Sequence, residues 1–376
     1  MEKVVKVGFI GLSMRGRDLL SAFLSDKKTN VKITAMCDLD EKKIADCKEY
    51  LEKEHNITDA VFYTDYKEML KSDVEAVIVA TDRDTHSIIS SDAMYAGKHV
   101  LCEIPNIKNY DDARLLIKAV KDNPKSKFMV AENCCYWLFI QTWKKMYEDG
   151  LLGDIVCGEA DYIHPSTQMK LDPEKDTAPM TWRSFMPSIH YPTHDLGPLL
   201  YIMGDTCTEI TGFEPDFNPL EKFRPANPNG MLIAKTKKGA MIKIFVGFGL
   251  HKTNGCHNFV MYGTKGSVEN ERFGPFHKRG TIADLVSIPN MNHGMTLPVG
   301  MGDFESESGH GGGDLRMMND FIDCIINDRE PDLGLEFGLN IAIPGLLAHL
   351  SAEQGGKTFK MPTMEEIMNG TADPEL

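Results

Sequence analysis

A histidine, a tyrosine and a second histidine lie close together near the middle of the chain, as His190, Tyr191 and His194. Imidazole titrates near neutral pH, so His194 could accept or donate a proton during a reaction. Tyr191 could donate a hydrogen bond to a substrate oxygen or share that proton. His190 and His194 are four residues apart and would share a face if the segment is helical. The segment predicts an acid–base site, although His194 could instead cap or pack at a helix start.

Metal ligation and disulfide bonding are not predicted. The two histidines could be metal ligands, but no third ligand follows at a spacing typical of zinc sites, so we expect no metal. The nine cysteines include no CxxC pair, and Cys134 and Cys135 are adjacent. This usage is typical of reduced thiols, and it predicts a cytoplasmic protein.

Two further groups are candidates for substrate binding. Trp182 and Arg183 resemble a substrate-side motif, in which the aromatic face could stack on a substrate ring and Arg183 could bind hydroxyl groups. His310 lies among glycines near the end of residues 271–313, which are rich in Gly, Pro, Asn, His and Met and predict a long loop. Each group could equally belong to a surface loop without a function.

The elements that must position such groups begin at the N-terminus. An apolar run over residues 4–10 is followed by Gly11-Leu12-Ser13-Met14-Arg15-Gly16, a helical stretch, and a second apolar run ending at Asp38. This order predicts a dinucleotide-binding βαβ unit, with the pyrophosphate at the helix N-terminus. Gly11 allows the sharp turn, and Gly16 lets the helix pack close to the sheet, while Ser13 replaces the usual second glycine. Asp38 could accept hydrogen bonds from both adenosine ribose hydroxyls, which favours NAD over NADP.

Length and composition limit the number of domains, the class of protein and the kinds of partner. A chain of 376 residues predicts two domains, and a content of 42% hydrophobic and 26% charged residues is ordinary for a globular protein. The net charge of −14 argues against nucleic acid or an anionic membrane as a partner. We expect no membrane-spanning stretch and no secretory signal, since the first residues run directly into the first strand.

The order of elements predicts an α/β fold in two parts. Short strands and helices alternate up to residue 131, which predicts a doubly wound parallel sheet of the Rossmann type over residues 1–132. Longer strands with alternating character follow from residue 155. They predict a C-terminal α/β domain over residues 133–376 with a largely antiparallel open sheet.

Several segments together resemble the Gfo/Idh/MocA family of NAD(P)-dependent sugar oxidoreductases, over nearly the whole chain. The matching segments are the N-terminal fingerprint, Val77-Ile78-Val79-Ala80-Thr81 with His86 five residues on, and residues 96–103, 150–155 and 262–268. The resemblance implies an N-terminal cofactor domain and a C-terminal domain whose open sheet often forms a dimer face. A homo-oligomer formed through that sheet is therefore expected.

The resemblance also implies roles for particular residues. It places the catalytic histidine at His194, and it has Ile104 of Glu103-Ile104-Pro105 where the family usually has a catalytic lysine. Proton handling should then fall to His194 and Tyr191, with His190 where the family often has an acid. The residues predicted to bind the cofactor are Gly11, Ser13, Met14, Arg15, Asp38, Thr81, His86, Glu103 and Asn133. For Glu103 the alternative is a cap on the next helix, and for His86 it is packing at a helix start.

A subgroup resemblance narrows the expected reaction. Residues 132–136, 191–198 and 309–312 look like those of NAD-dependent glycosidases related to α-N-acetylgalactosaminidase. Members of this subgroup, and the bacterial glycoside 3-dehydrogenases that the chain also resembles, oxidise a pyranose 3-hydroxyl. We therefore expect an NAD-dependent enzyme that oxidises a ring hydroxyl, at C3, of a hexopyranoside or glycoside. The first alternative is a glycosidase that oxidises C3 transiently, eliminates the C1 substituent, adds water and reduces C3 again. The second, motivated by the missing lysine, is a non-catalytic sensor of NAD and sugar.

Overall fold

A computed structural model describes residues 3–26, 30–164, 177, 180–218, 220–250, 257–270, 278–282, 288–289 and 310–376. These residues divide into two compact units. The first contains the described residues up to Tyr136, residues 310–339 and Met364–Thr371. The second contains the described residues from Trp137 to 289, Asn340–Thr363 and Ala372–Leu376. The sequence predicted one boundary after residue 132, whereas by packing the chain returns to the first unit after residue 310.

The described residues form the following strands and helices. The strands are β1 (Val5–Ile10), β2 (Val31–Cys37), β3 (Val61–Tyr63), β4 (Ala76–Val79), β5 (His99–Cys102), β6 (Phe128–Val130), β7 (Ile155–Ile163), β8 (Cys207–Phe213), β9 (Asn229–Thr236), β10 (Met241–Gly247), β11 (His257–Gly263), β12 (Gly266–Asn270), β13 (Lys278–Ile282), β14 (Ile288–Pro289) and β15 (Phe359–Lys360). The helices are α1 (Met14–Ser25), α2 (Glu41–His55), α3 (Tyr66–Leu70), α4 (Arg83–Tyr95), α5 (Tyr110–Asp122), α6 (Leu138–Glu148), α7 (Thr193–Met203), α8 (Gly313–Ile326), α9 (Leu335–Glu353) and α10 (Met364–Asn369).

The sheet of the first unit is parallel throughout, in the order β3-β2-β1-β4-β5-β6. The central strands β1 and β4 are almost entirely buried, as expected for a parallel sheet covered on both faces. The strand order reverses between β1 and β4, and in such sheets a ligand binds beyond the carboxyl ends of the strands at that point. The predicted doubly wound Rossmann sheet is confirmed.

The sheet of the second unit is mixed, in the order β14-β13-β12-β11-β7-β10-β9-β8-β15. β7 and β10 run parallel, and the other described pairs are antiparallel, which confirms the predicted largely antiparallel sheet. Helix α7 packs on one face of β7. A Cβ on Gly158 would lie 3.3 Å from a methyl carbon of Leu199, so the missing side chain brings the helix close to the strand.

Two expectations are corrected in the fold. Residues 271–313 were predicted as one long loop, but β13 and β14 lie within them, and the rest up to residue 309 falls outside the described residues. No stretch was expected to be long and apolar enough for a membrane span, but α9 is, by length and composition. Because 72% of its apolar window is buried inside the protein, α9 resembles the core helix of a globular domain.

Candidate active site

The turn between β1 and α1 can be formed only by glycine. Gly11 has a φ of +95°, and a Cβ there would lie 2.4 Å from the carbonyl oxygen of Ala80 at the end of β4. A Cβ on Gly16 would lie 1.9 Å from the carbonyl oxygen of Gly11. The backbone therefore passes close to the end of β4, and the N-terminus of α1 stays open to a phosphate.

Asp38 is held against the same turn. Its Oδ2 accepts a hydrogen bond from the backbone N–H of Leu12 at 2.7 Å, and its Oδ1 accepts one from Asp40 at 3.0 Å. Lys43 lies 3.7 Å from the carboxylate and donates to the hydroxyl of Ser13 at 2.8 Å. Asp38 is therefore fixed beside the glycine turn, where the sequence predicted a ribose contact. Met14 follows in the first turn of α1 and is 73% exposed.

The side chain of Arg15 binds protein carboxylates. Its Nε donates to Oε1 of Glu103 at 2.6 Å, and its two terminal nitrogens donate to the two oxygens of Asp314 at 2.8 and 2.9 Å. Burial opposes the charge, but Glu103 and Asp314 outweigh it and raise the pKa of the guanidinium. The charge of Arg15 is thus engaged by two carboxylates of the protein, and its predicted contact with the cofactor stays a prediction.

Asp314, in the first turn of α8, is the centre of this network. It is fully buried, and besides Arg15 it accepts hydrogen bonds from Asn133 at 2.8 Å and from Nδ1 of His310 at 2.9 Å. Burial would raise the pKa of the Asp314 carboxyl, but the hydrogen bonds from His310 and Arg15 hold it well below its usual range. The carboxylate is therefore ionised and satisfied by three side chains.

His310 and Asn133 belong to this network. The ring of His310 binds Asp314, and that hydrogen bond raises the pKa of the imidazole. The amide of Asn133 donates to Asp314, and the predicted contacts of His310 with substrate and of Asn133 with the cofactor stay predictions. Both side chains position the carboxylate that holds Arg15.

His86 lies inside the first unit, with both ring nitrogens facing backbone carbonyls. Nε2 is 3.0 Å from the oxygen of Thr81, and Nδ1 is 3.0 Å from the oxygen of Pro105. Burial lowers the pKa of this imidazole despite the two carbonyls. The ring ties the end of β4 to the segment after β5, and its predicted contact with the cofactor stays a prediction. The hydroxyl of Thr81 pairs with that of Thr85 at 2.8 Å.

In the second unit, His194 lies in the first turn of α7 among aromatic rings. Its Nε2 is 3.5 Å from the hydroxyl of Tyr191, and the ring of Tyr191 is buried. The rings of Tyr162 and His257 stand nearly perpendicular to it, with centroids 5.3 and 5.8 Å away. The structure thus brings together the predicted base and the predicted hydroxyl donor.

His190 does not share a helix face with His194. It ends a 3-10 turn at Ser188–His190, and α7 begins only at Thr193. Tyr191, which precedes Pro192, has a φ of −118° and a ψ of 50°, which lie outside the helical region, so the turn and α7 do not form one helix. The ring of His190 instead packs edge-on against His349 of α9, with centroids 4.9 Å apart.

Arg183 reaches the His194 cluster through Tyr191. Its guanidinium lies 4.5 Å from the ring centroid of Trp182 and 5.1 Å from that of Tyr191. Buried Arg224 donates to the backbone carbonyls of Arg183 and Met186, and burial together with Arg183 lowers the pKa of Arg224 to about 10. The two residues predicted to bind substrate are therefore fixed next to the predicted acid–base pair.

A family model described as an oxidoreductase family with an NAD-binding Rossmann fold matches residues 5–132. The chain carries the NAD-binding domain of the Gfo/Idh/MocA oxidoreductases. Its cofactor is NAD, and the open helix N-terminus at Gly11 and the carboxylate of Asp38 fit that cofactor.

Named relatives align over nearly the whole chain. A glycosyl hydrolase family 109 protein from Streptomyces niveus is 26% identical over 95% of this chain and 77% of its own length. An alpha-N-acetylgalactosaminidase from Shewanella oneidensis is 26% identical over 96% of this chain and 85% of its own. Both alignments extend far beyond the NAD-binding domain.

Solved structures share the fold at lower identity. An oxidoreductase domain protein from Kribbella flavida has a TM-score of 0.79, 18% identity, and coverage of 96% of this chain and all of its own. A levoglucosan dehydrogenase in complex with NADH has a TM-score of 0.78 with the same identity and coverage. These likenesses show that the fold of these proteins is shared over 96% of this chain.

The position of the usual Gfo/Idh/MocA lysine is apolar here. Ile104 is 2% exposed, and its backbone N–H donates to Oε2 of Glu103 at 3.1 Å. Lys108 is the next lysine along the chain, and its ammonium lies 3.3 Å from the carbonyl oxygen of Asp84. Glu103 is thus bound by Arg15 and by the backbone of its own neighbour, and its predicted contact with the cofactor stays a prediction.

Sequence reasoning gave no role to Asp314, Asp195, Tyr162 or His257. Asp314 follows a glycine-rich segment at a helix start, which is a weak signal for a buried acid. Asp195 directly follows His194, and its Oδ1 lies 2.9 Å from Nδ1 of His257. Tyr162 and His257 are cross-strand partners in β7 and β11, a register that only the sheet reveals.

Proposed function

We propose that this protein oxidises the 3-hydroxyl of a hexopyranoside, with NAD as the cofactor. The observation that carries the proposal is the pairing of His194 with Tyr191 beside Arg183, in a chain with an NAD-binding oxidoreductase domain. Oxidation of a secondary alcohol needs a base for the hydroxyl proton and a donor for the developing carbonyl oxygen. His194 and Tyr191 supply those two groups.

The chain's own residues would divide the reaction as follows. His194 accepts the hydroxyl proton, and the Tyr191 hydroxyl donates a hydrogen bond to the same oxygen as the C–O bond shortens. Arg183 and Trp182 bind the sugar's other hydroxyls and its apolar face. Bound NAD supplies the hydride acceptor. Asp38 holds the adenosine ribose, and Glu103, fixed by Arg15, orients the nicotinamide ribose.

The test is incubation of the purified protein with a panel of glucosides, galactosides and N-acetylgalactosaminides, with and without added NAD. Absorbance of the reduced nicotinamide and the masses of the sugar products are followed together. A product two mass units lighter that keeps its aglycone, with matching NADH, supports the proposal. No change in either signal across the panel, with NAD bound, would favour the sensor alternative.

A second candidate function is a glycosidase that is redox-neutral overall. The observation that favours it is the alignment of 96% of this chain with a protein named alpha-N-acetylgalactosaminidase. Oxidation at C3 acidifies the C2 proton, which permits elimination of the C1 substituent, addition of water and reduction of C3. Release of free sugar without net NADH in the same panel would select this function.

We also propose that the protein is a cytoplasmic homo-oligomer. The register places exposed apolar side chains on one face of the second unit's sheet. They are Phe213, Ile233, Met241 and Tyr262. Substitution of Ile233 and Met241 by glutamate should lower the mass measured by analytical ultracentrifugation, whereas the same change at exposed Ile88 in the first unit should not.

A further inference from the structure

We propose that His257, held by Asp195, is a second catalytic base of this site and removes the proton from C2 of the 3-keto sugar. The inference rests on the proposed oxidation at C3. It extends that function by one step. A base that removes the C2 proton is needed only if the enzyme, after forming the ketone at C3, also eliminates the substituent at C1. The observations concern the second unit alone.

Asp195 fixes the orientation of the imidazole. Its Oδ1 lies 2.9 Å from Nδ1 of His257, and its carboxylate is fully buried. A carboxylate accepts, so the neutral ring carries its proton on Nδ1 and its lone pair on Nε2, at the opposite edge. The negative charge also stabilises the imidazolium that forms when Nε2 takes a proton, as in other carboxylate–histidine pairs.

Asp195 and His257 lie beside His194, the proposed base for the 3-hydroxyl. Asp195 is the neighbour of His194 in the first turn of α7, and the rings of His194 and His257 are 5.8 Å apart and nearly perpendicular. The His257 ring is stacked on Tyr162, with centroids 4.4 Å apart and planes 9° from parallel. Two oriented imidazoles at this separation can serve neighbouring atoms of one sugar, such as the 3-hydroxyl and the hydrogen on C2.

His257 is partly exposed, as a side chain that contacts substrate must be. Its side chain is 15% exposed to solvent, whereas the side chain of Asp195 is wholly buried. Trp137 and Phe259 border the ring, with centroids 5.1 and 6.2 Å away. These apolar neighbours restrict water around the pair, which strengthens the interaction between the imidazole and the carboxylate.

The step balances without a further oxidant. Nε2 of neutral His257 takes the proton from C2 of the ketone. The electron pair of the C2–H bond forms a double bond between C1 and C2, the C1–O bond breaks with its pair on the aglycone oxygen, and water protonates that oxygen. The hydroxide left by that water then adds at C1, and the imidazolium returns its proton to C2. Bound NADH would supply the hydride that reduces C3, and His194 would return the hydroxyl proton to the oxygen at C3.

The experiment separates the hydride step from the C2 step. Wild-type protein and the His257→Asn variant are incubated with NAD and 4-nitrophenyl glycosides of glucose, galactose and N-acetylgalactosamine in D₂O. Single-turnover absorbance gives hydride transfer, and mass spectrometry of the recovered sugar gives deuterium at C2. Asparagine is chosen because its amide replaces Nδ1 and can still donate to Asp195, so the buried carboxylate keeps a partner.

The measured quantity is the ratio of C2 exchange to hydride transfer. We expect His257→Asn to lower this ratio about 100-fold, the usual contribution of a general base. His194→Asn should slow both steps together, and His349→Asn, a histidine of the same unit outside the cluster, should change neither. Asp195→Asn should lower the ratio in the same direction by a smaller factor, and it replaces His257→Asn if near-ultraviolet circular dichroism shows that variant to be misfolded.

Three results would overturn the inference, and they differ in what they leave standing. An unchanged ratio in both His257→Asn and Asp195→Asn removes the role of His257 but keeps the proposed oxidation. Hydride transfer by the wild type without deuterium at C2 does the same, and identifies a simple dehydrogenase. No hydride transfer from any sugar of the panel rejects the proposed function and the C2 base with it.

Discussion

Asp314 binds Arg15 through both carboxylate oxygens, and the two residues are 299 positions apart in the chain. The paired hydrogen bonds of 2.8 and 2.9 Å are the strong two-point geometry of a guanidinium and a carboxylate. Through Arg15 the pair also holds Glu103 at the end of β5. The NAD-binding domain is thus completed by a segment that lies far beyond it in sequence.

Asp314→Asn should destabilise the protein and weaken its affinity for NAD. The substitution leaves the partly buried guanidinium with one charged partner, and loss of the wholly buried member of such a pair costs about 3 kcal/mol. Urea unfolding gives the free energy, and titration of NAD by fluorescence gives the affinity. Asp73→Asn, which removes an exposed pair with Lys6, is the matched control and should change both little. Equal effects of the two variants would contradict the role of Asp314.

His310→Gln should destabilise the protein more at acid pH than at alkaline pH. The hydrogen bond with Asp314 raises the pKa of His310, so folding favours the protonated ring. That contribution is complete below the unfolded value of about 6.5 and is lost as the pH rises through the folded value. Urea midpoints of wild type and variant at about pH 6 and about pH 9 measure the difference. In an Asp314→Asn background the pH dependence should disappear, and its persistence would assign it to another group.

Gly11→Ala should abolish NAD binding and destabilise the first unit. The new Cβ would lie 2.4 Å from the carbonyl oxygen of Ala80, and alanine is strained at a φ of +95°. Gly97→Ala is the control, since Gly97 has a φ of +73° but no atom within 4 Å of the added Cβ. The control should show only the strain, roughly 1 kcal/mol, and should bind NAD normally. Normal NAD binding by Gly11→Ala would show that the turn tolerates a side chain.

His194→Gln should lower kcat by about 100-fold or more while leaving NAD binding intact. The imidazole is the proposed acceptor of the hydroxyl proton, and glutamine cannot take its place. Turnover on the best sugar of the panel and NAD titration are measured on the same samples. His349→Gln, in the same unit but packed against His190, should retain wild-type turnover. Full activity of His194→Gln would move the base to another residue.

The sequence by itself determined the features that neighbouring residues encode. The glycine turn, the buried strands and the acid at Asp38 follow from strand periodicity, from a backbone conformation that glycine favours, and from spacing along about 30 residues. The Rossmann sheet and the mostly antiparallel second sheet followed from the same signals. The pairing of His194 with Tyr191 could also be anticipated, because the two residues are three apart.

Only the tertiary structure decided which distant side chains meet. Arg15 and Asp314 come together because the chain returns to the first unit after residue 310, and no local pattern encodes that return. Tyr162 and His257 face each other because β7 and β11 pair in one register, and a shift of one residue would turn either side chain to the other face of the sheet. His190 does not share a helix face with His194 because the backbone of Tyr191 is not helical, and the spacing of the two histidines does not reveal that break. Local chemistry is set by covalent neighbours, whereas the site's partners are set by packing and strand register.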